Sequence, residues 1–329
     1  MNWQETSVLV TGAGGFIGSH LTERLVREGA RVRAFVRYNS RHDVGLLALL
    51  PAEMLTSVEV IAGDLRDGEA VRTAMTGIEV VFHLGALIAI PYSYLHPCEV
   101  VETNVMGTLN VLMAARDLGT RRVVHTSSSE VYGTALYTPI DEAHPLQGQS
   151  PYSASKIGAD KIAESFFRSF GVPVATIRPF NTYGPRQSAR AVIPTIAVQA
   201  LSSEQIRLGA LDPVRDFTFV DDTVEGFLQV GRQEAAAGQE INIGSGECIS
   251  VGELARKILS IVGRDLPIVG EDQRRRPAQS EVLRLHASPD KARQLLGWQA
   301  QVSLDDGLRR TVDWLRDHLR LYRPGQYEV

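Results

Sequence analysis

From residue 7 to about residue 180 the chain alternates between two hydrophobic rhythms. Short Val- and Ile-rich runs, SVLVTG, RVRAFV, VEVIAGD, EVVFHL, RRVVHTS and PVATIRP, are apolar almost without a break. Between them, apolar residues recur at helical spacing, notably over Ile17 to Glu28, Pro97 to Leu118 and Tyr152 to Phe170, and a glycine follows soon after the last apolar position of each. A run that is apolar on both faces needs cover on both, so the alternation predicts consecutive βαβ units in an α/β fold with a doubly wound parallel sheet of Rossmann type. Beyond residue 180 the rhythm loosens. NTYGPRQ opens a loop, RDFTFVDD at 215 to 222 brings back one strand-like run, and residues 244 to 300 read as a smaller mixed unit. The expected division is a sheet domain over 1–180 and about 215–243, interleaved with a smaller domain over about 181–214 and 244–329.

Composition narrows the class without changing the fold. With 329 residues, 44% of them hydrophobic, the chain has enough apolar material for a sizeable core. A formal charge of -4 argues against nucleic acid as the main partner. Cys98 and Cys248 fit neither a disulfide framework nor metal-ligand spacing, and read as inert buried thiols in a reducing compartment. The first residues carry no charged segment followed by an apolar one and a cleavage site, and no apolar run reaches the ~18 residues of a membrane span, so a cytoplasmic protein, neither exported nor embedded, is the expectation. The charged run from Glu271 to Arg276 reads as a solvated loop.

Candidate chemistry begins at the first turn. TGAGGFIGSHL follows the first strand and opens the first helix, spacing glycines at 12, 15 and 18 around Phe16 and Ile17. Glycine is required where the chain turns tightly, where backbone approaches a pyrophosphate and where helix meets strand, so Gly12, Gly15 and Gly18 predict a dinucleotide site. The second strand lacks the terminal acid that would hold an adenosine ribose 2′-hydroxyl; Val36 is followed by Arg37, a cation suited to a 2′-phosphate. NADP is therefore favoured over NAD. Asp64, beside Leu65 in AGDLRD, would accept from an adenine amino group or else cap the following helix.

YSASK then places Tyr152 and Lys156 four residues apart on one helical face. A lysine ammonium one turn away, together with a nicotinamide ring, would stabilise a phenolate able to take a proton from a substrate hydroxyl. Taken in order, the glycine turn, HLGA at 83 to 86, Asn104, SSSEVYG, YSASK and RPFNTYGPRQ resemble the extended short-chain dehydrogenase/reductase family of nucleotide-sugar epimerases and dehydratases, over about residues 7 to 300. The resemblance implies that Tyr152 and Lys156 are the catalytic pair, that Ser128 bonds the sugar 4-oxygen, and that Leu84, Ala86 and Asn104 join the cofactor site. It further implies that Asn181, Arg186, Arg215, Arg276 and Glu281 bind the nucleotide and its phosphates.

Glu130 separates the subfamilies. Similar 4-epimerases carry a small or neutral residue there, whereas a 4,6-dehydratase needs a carboxylate to take the C5 proton once C4 is a ketone. The resemblance implies that this acid serves both elimination steps, because Ser129 stands where dTDP-glucose dehydratases have an aspartate. GALIAIPYSYLHP, IDEAHPLQGQSPYSASKIGAD, RPFNTYGPRQSARAVIPTI and RDFTFVDDT are most similar to the GDP-N-acetylglucosamine 4,6-dehydratases of legionaminic acid biosynthesis. The expectation is thus an NAD(P)-dependent lyase acting on a GDP-, UDP- or dTDP-hexose. A 4-epimerase, a 5,6-dehydratase and a catalytically idle NADP-binding regulator stand as alternatives. The broad apolar faces over 97 to 118 and 152 to 170 predict a homodimer.

Overall fold

The computed structural model describes residues 2–274 and 277–323. β1 (Ser7–Thr11), α1 (Phe16–Arg27), β2 (Arg31–Arg37), α2 (Ala52–Thr56) and β3 (Glu59–Gly63) open the chain, followed by α3 (Gly68–Met75) and β4 (Val80–His83). Next come α4 (Ile90–Leu95), α5 (Pro97–Val101), α6 (Gly107–Leu118), β5 (Arg122–Thr126), α7 (Pro151–Phe170) and β6 (Val174–Pro179). The six apolar runs are these six strands. They pair in parallel in the order β6-β5-β4-β1-β2-β3, and a seventh, β10 (Glu240–Ile243), adds beyond β6.

Alternation along each strand feeds two cores. Val8, Val10, Phe82 and Val124 point to one side, where Leu21 and Leu25 of α1 meet Phe227 and Leu228 of a later helix, α9 (Val220–Arg232). Leu9, Val81 and Val123 point to the other, under Val71 of α3, Val111 and Leu112 of α6, and Phe166 of α7. Both faces are covered over the inner strands, as their continuous apolar runs require, whereas the edge strand β3 is largely exposed despite its apolar sequence.

The expected helix over 97 to 118 is broken by a π turn, Glu102–Met106, between α5 and α6. α7 runs as the pattern predicts: Ser150 and Ser153 close a capping box at its start, and Gly171 ends it at φ 66°.

After β6 the chain leaves the main sheet through β7 (Asn181–Tyr183), α8 (Val192–Ser202), β8 (Ile206–Leu208) and β9 (Val214–Phe219), and returns at β10. The first residues of the expected NTYGPRQ loop are a strand: β7 pairs in parallel with β9, which also pairs with β11 (Cys248–Ser250). The remaining elements are α10 (Val251–Val262), β12 (Ile268–Gly270), α11 (Asp290–Leu296) and α12 (Leu304–Asp317). β9 therefore belongs to the second lobe's sheet, while α9 beyond it covers the main one.

The two cysteines are exposed rather than buried, Cys98 in the first turn of α5 and Cys248 at the start of the short β11. Among the described residues no helix is long and apolar enough to cross a membrane.

Candidate active site

β1 lies between β2 and β4, so successive crossovers leave it in opposite directions and a crevice opens at the carboxyl ends of these strands. The crevice is a cavity of about 900 Å³ reaching from the β1–α1 turn to the second lobe. Gly12 has φ 69°, and a Cβ added to it would stand 2.8 Å from Gly85 Cα, so two backbones meet there. A Cβ on Gly18 would stand 2.2 Å from the Gly12 carbonyl oxygen, which fixes α1 directly on the turn. Gly15 is the N-cap of α1, without a capping side chain and without an acid in the first turn. Phe16 and Ile17 of that turn line the cavity. Uncapped helix amides beside an open cavity fit the pyrophosphate of a dinucleotide.

The expected adenosine end is a side recess of about 140 Å³, lined by Arg37, Asp64, Leu65, Arg66, Ala86 and Thr103 among others. Arg37 is exposed and donates to Glu99 at 3.3 Å. Asp64 accepts from the Arg66 guanidinium at 2.6 Å and from its backbone N–H at 2.9 Å, and the arginine holds the carboxyl below its usual range. It does not cap α3, whose N-cap is Asp67. Leu84 and Ala86 line the main cavity.

Asn104 lies behind this wall, 1% exposed, within the π turn. Its amide donates to the Leu87 carbonyl and to Ser155 Oγ, both at 2.9 Å, and its oxygen accepts from the Leu87 N–H at 2.8 Å. The side chain thus ties the loop after β4 to α7 and is not part of the cavity lining. π turns recur at functional sites, and here the turn brings an amide to bear on two elements.

At the reactive end, Tyr152 is 7% and Lys156 4% exposed, one turn apart on α7. Ser128 caps a short 3₁₀ turn, Ser129–Tyr132, accepting from the Glu130 N–H at 3.2 Å. Ser128, Glu130 and Tyr152 line the same cavity. Ser129 is 3% exposed and outside the lining, because the turn directs it inward. Burial pushes the Tyr152 phenol up to about 12, opposed by a hydrogen bond to Ser128 and reinforced by the Glu130 carboxylate. Burial likewise lowers the Lys156 ammonium to about 8, opposed by Asp160. The fold thus holds the phenol above the ordinary tyrosine value.

In the second lobe, Asn181 opens β7, lines the cavity and donates to the Asp216 carbonyl at 3.3 Å. Arg215 and Glu281 line it as an ion pair at 3.3 Å, with side chains 9% and 18% exposed. Arg186 is elsewhere: at φ 68° its side chain turns back to Glu23 of α1 at 2.6 Å, outside the lining. Arg276 lies outside the described residues. Gln187, Arg190 and Arg274, none of them among the anticipated site residues, also line the cavity, Arg274 from within the run expected to be a solvated loop. Two of these are cations close in sequence to anticipated ones, at 186 and 276.

Residues 9–311 match the family model described as GDP-mannose 4,6 dehydratase. A UDP-glucose 4-epimerase of Mycolicibacterium smegmatis is 34% identical over 94% of this chain and 98% of its own. A dTDP-glucose 4,6-dehydratase of Streptomyces venezuelae, solved with NAD bound, superposes with a TM-score of 0.87 at 31% identity, covering 96% of this chain and 98% of that one. A UDP-glucose 4-epimerase of Thermotoga maritima, solved with UDP-glucose, gives a TM-score of 0.86 at 28% identity, covering 95% and 99%.

Proposed function

This chain belongs to the family of nucleotide-sugar dehydratases and epimerases matched by the GDP-mannose 4,6-dehydratase model, and from that premise we propose that it is a nucleotide-sugar 4,6-dehydratase. The observation that carries the reading is the carboxylate of Glu130 in the same cavity wall as Ser128 and Tyr152. GDP-N-acetylglucosamine is the first substrate to try, on the sequence resemblance.

The glycine turn and the N-terminus of α1 would hold the cofactor pyrophosphate, and Arg37 a 2′-phosphate, which supports NADP although NAD is the cofactor in the solved dehydratase relative. When bound, a nicotinamide would supply the acceptor for the C4 hydride and the source of the hydride that C6 receives. Tyr152, as phenolate, accepts the O4 proton while Ser128 holds that oxygen. Lys156 keeps positive charge beside the phenolate. Glu130 accepts the C5 proton, which the C4 ketone has acidified, and donates it to the departing 6-hydroxyl, so that one water leaves. A proton taken up from solvent at C5, balanced by release to solvent of the O4 proton held on Tyr152, completes a 4-keto-6-deoxy sugar with no net oxidation. Arg215, Asn181 and Glu281 would hold the nucleotide end.

A 4-epimerase reading is favoured by the relative from M. smegmatis and needs only Ser128, Tyr152 and Lys156. Liquid chromatography coupled to mass spectrometry, which resolves epimers of equal mass, applied to the purified protein incubated with GDP-, UDP- and dTDP-sugars without added cofactor, separates the two. Loss of one water supports dehydration; an isomer of unchanged mass overturns it in favour of epimerisation.

A further inference from the structure

Behind the proposed catalytic groups runs a chain of buried polar side chains that no step above uses. Asp160 continues the stripe of Tyr152 and Lys156 along α7, one turn beyond the lysine, and is 3% exposed. Its carboxylate accepts from Ser127 Oγ at 2.7 Å and from Arg178 Nη2 at 3.1 Å, and His125 Nε2 stands 3.1 Å away. Arg178, on β6 and 2% exposed, faces two ways: its Nη1 donates to the Tyr132 hydroxyl at 3.0 Å, and its guanidinium carbon lies 5.3 Å from the centre of that ring. Tyr132 in turn donates to Asn242 Oδ1 on β10 at 2.7 Å. Tyr132 closes the 3₁₀ turn that begins with Ser129 and carries Glu130. One guanidinium thus joins the helix of the oxidation residues to the turn of the elimination residue.

Stability alone is a weak reason for such an arrangement. Taking a carboxylate and a guanidinium out of water costs several kcal/mol per ion in general, and apolar replacements of buried pairs are often neutral or better. What the link adds is geometry: α7 and the turn already meet where Tyr152 bonds Ser128, and the guanidinium adds a second tie, through Tyr132, at the far end of the turn, so that both segments agree on one substrate pose. We propose that Tyr132 and Arg178 are positioning residues that fix Glu130 relative to Tyr152, so that the sugar oxidised at C4 has its C5 proton within reach of the carboxylate. The inference rests on the dehydratase reading.

The test uses the full-length holoenzyme and Tyr132→Phe, which keeps the ring and removes only the hydroxyl between Arg178 and Asn242. Cofactor reduction in a single turnover and the rate of water loss are measured separately on wild type and variant. The expected result is oxidation within a few-fold of wild type, water loss down ~10- to 10²-fold as for an ångström-scale misplacement, and reduced cofactor accumulating during turnover. Equal loss of both steps would assign Tyr132 a merely structural role and overturn the proposal, as would wild-type water loss. Should Tyr132→Phe not fold, Arg178→Lys keeps a cation beside Asp160 but loses the fork that also reaches the Tyr132 hydroxyl; the same imbalance is expected, and its absence overturns the proposal. Wild type that dehydrates no nucleotide sugar refutes the dehydratase reading itself, and the positioning role with it, a failure visible before any variant is compared.

Discussion

Replacing Glu130 by glutamine removes one negative charge from the corner shared with Ser128 and Tyr152 while keeping side-chain size, and its two consequences have opposite signs. On the proposed reading, elimination loses its base. General acid or base groups contribute ~10²- to 10⁴-fold, so water loss should fall by that factor, equivalent to about 2.7 to 5.4 kcal/mol at 1.36 kcal/mol per decade. Oxidation moves the other way, because the Glu130 carboxylate is one of the groups holding the Tyr152 phenol up at about 12. Phenolate is the active form, and below its pKa its fraction rises tenfold per pH unit. Lowering that pKa therefore shifts the rising limb of the oxidation rate toward acid and increases phenolate at neutral pH. The assay mixes holoenzyme with nucleotide sugar across a pH series, following reduced nicotinamide by its absorbance and product by mass. Glu130→Gln should reduce its cofactor at least as fast as wild type near neutrality, with the limb displaced to lower pH, and then stall with the cofactor reduced. Water loss at the wild-type rate, or an oxidation limb displaced upward, would refute both the assigned role and the electrostatic argument behind it.

Cofactor released by heat from the purified protein should be mainly NADP, and Arg37→Asp should turn the preference toward NAD; NAD alone from wild type, with no preference for NADP on reconstitution, overturns this. The exposed apolar residues Val101, Met106 and Met113 before and along α6, with Phe167 and Phe170 on α7, should be covered by a second copy, so light scattering at micromolar concentration should report twice the chain mass; a monomer contradicts it. Stability should fall as pH drops below the ordinary histidine value of 6.5: burial depresses His20, His83 and His125 in the fold, so the unfolded chain takes protons that the folded chain refuses. The slope is at most about 4.1 kcal/mol per pH unit for the three together. His83→Gln, which retains polar reach to Thr11 and Thr108, should remove about a third of that slope in denaturant titrations and leave it flat above neutrality; an unchanged slope refutes the assignment.

What the sequence makes legible depends on how local the determining physics is. The six sheet strands follow from their apolar runs, and Gly18 from its close packing on Gly12 six residues earlier, although what Gly12 itself meets, the backbone of Gly85, is distant in sequence. β10 escapes the same reading because EINI is four residues long and becomes a strand only against β6. The π turn at Asn104 has no apolar period of its own; it exists because the amide meets Leu87 and Ser155 at once. In the second lobe direction is decided at a distance. Arg186 belongs to the quoted motif, yet its partner Glu23 is 163 residues earlier, and the positive φ that turns it away is not written in RPFNTYGPRQ. Gln187, its neighbour, takes the cavity side instead. The bridge of Asp160, Arg178 and Tyr132 lies between these cases. An aspartate on the buried stripe of α7 and an arginine inside PVATIRP are both charges at positions the apolar pattern marks as covered. A buried charge requires a partner, so two such anomalies of opposite sign predict each other, even with the fold unknown. The third member is different in kind. Tyr132 is an aromatic at an apolar position, breaks no pattern, and only the strand order that sets β6 between β5 and β10 brings its hydroxyl between Arg178 and Asn242.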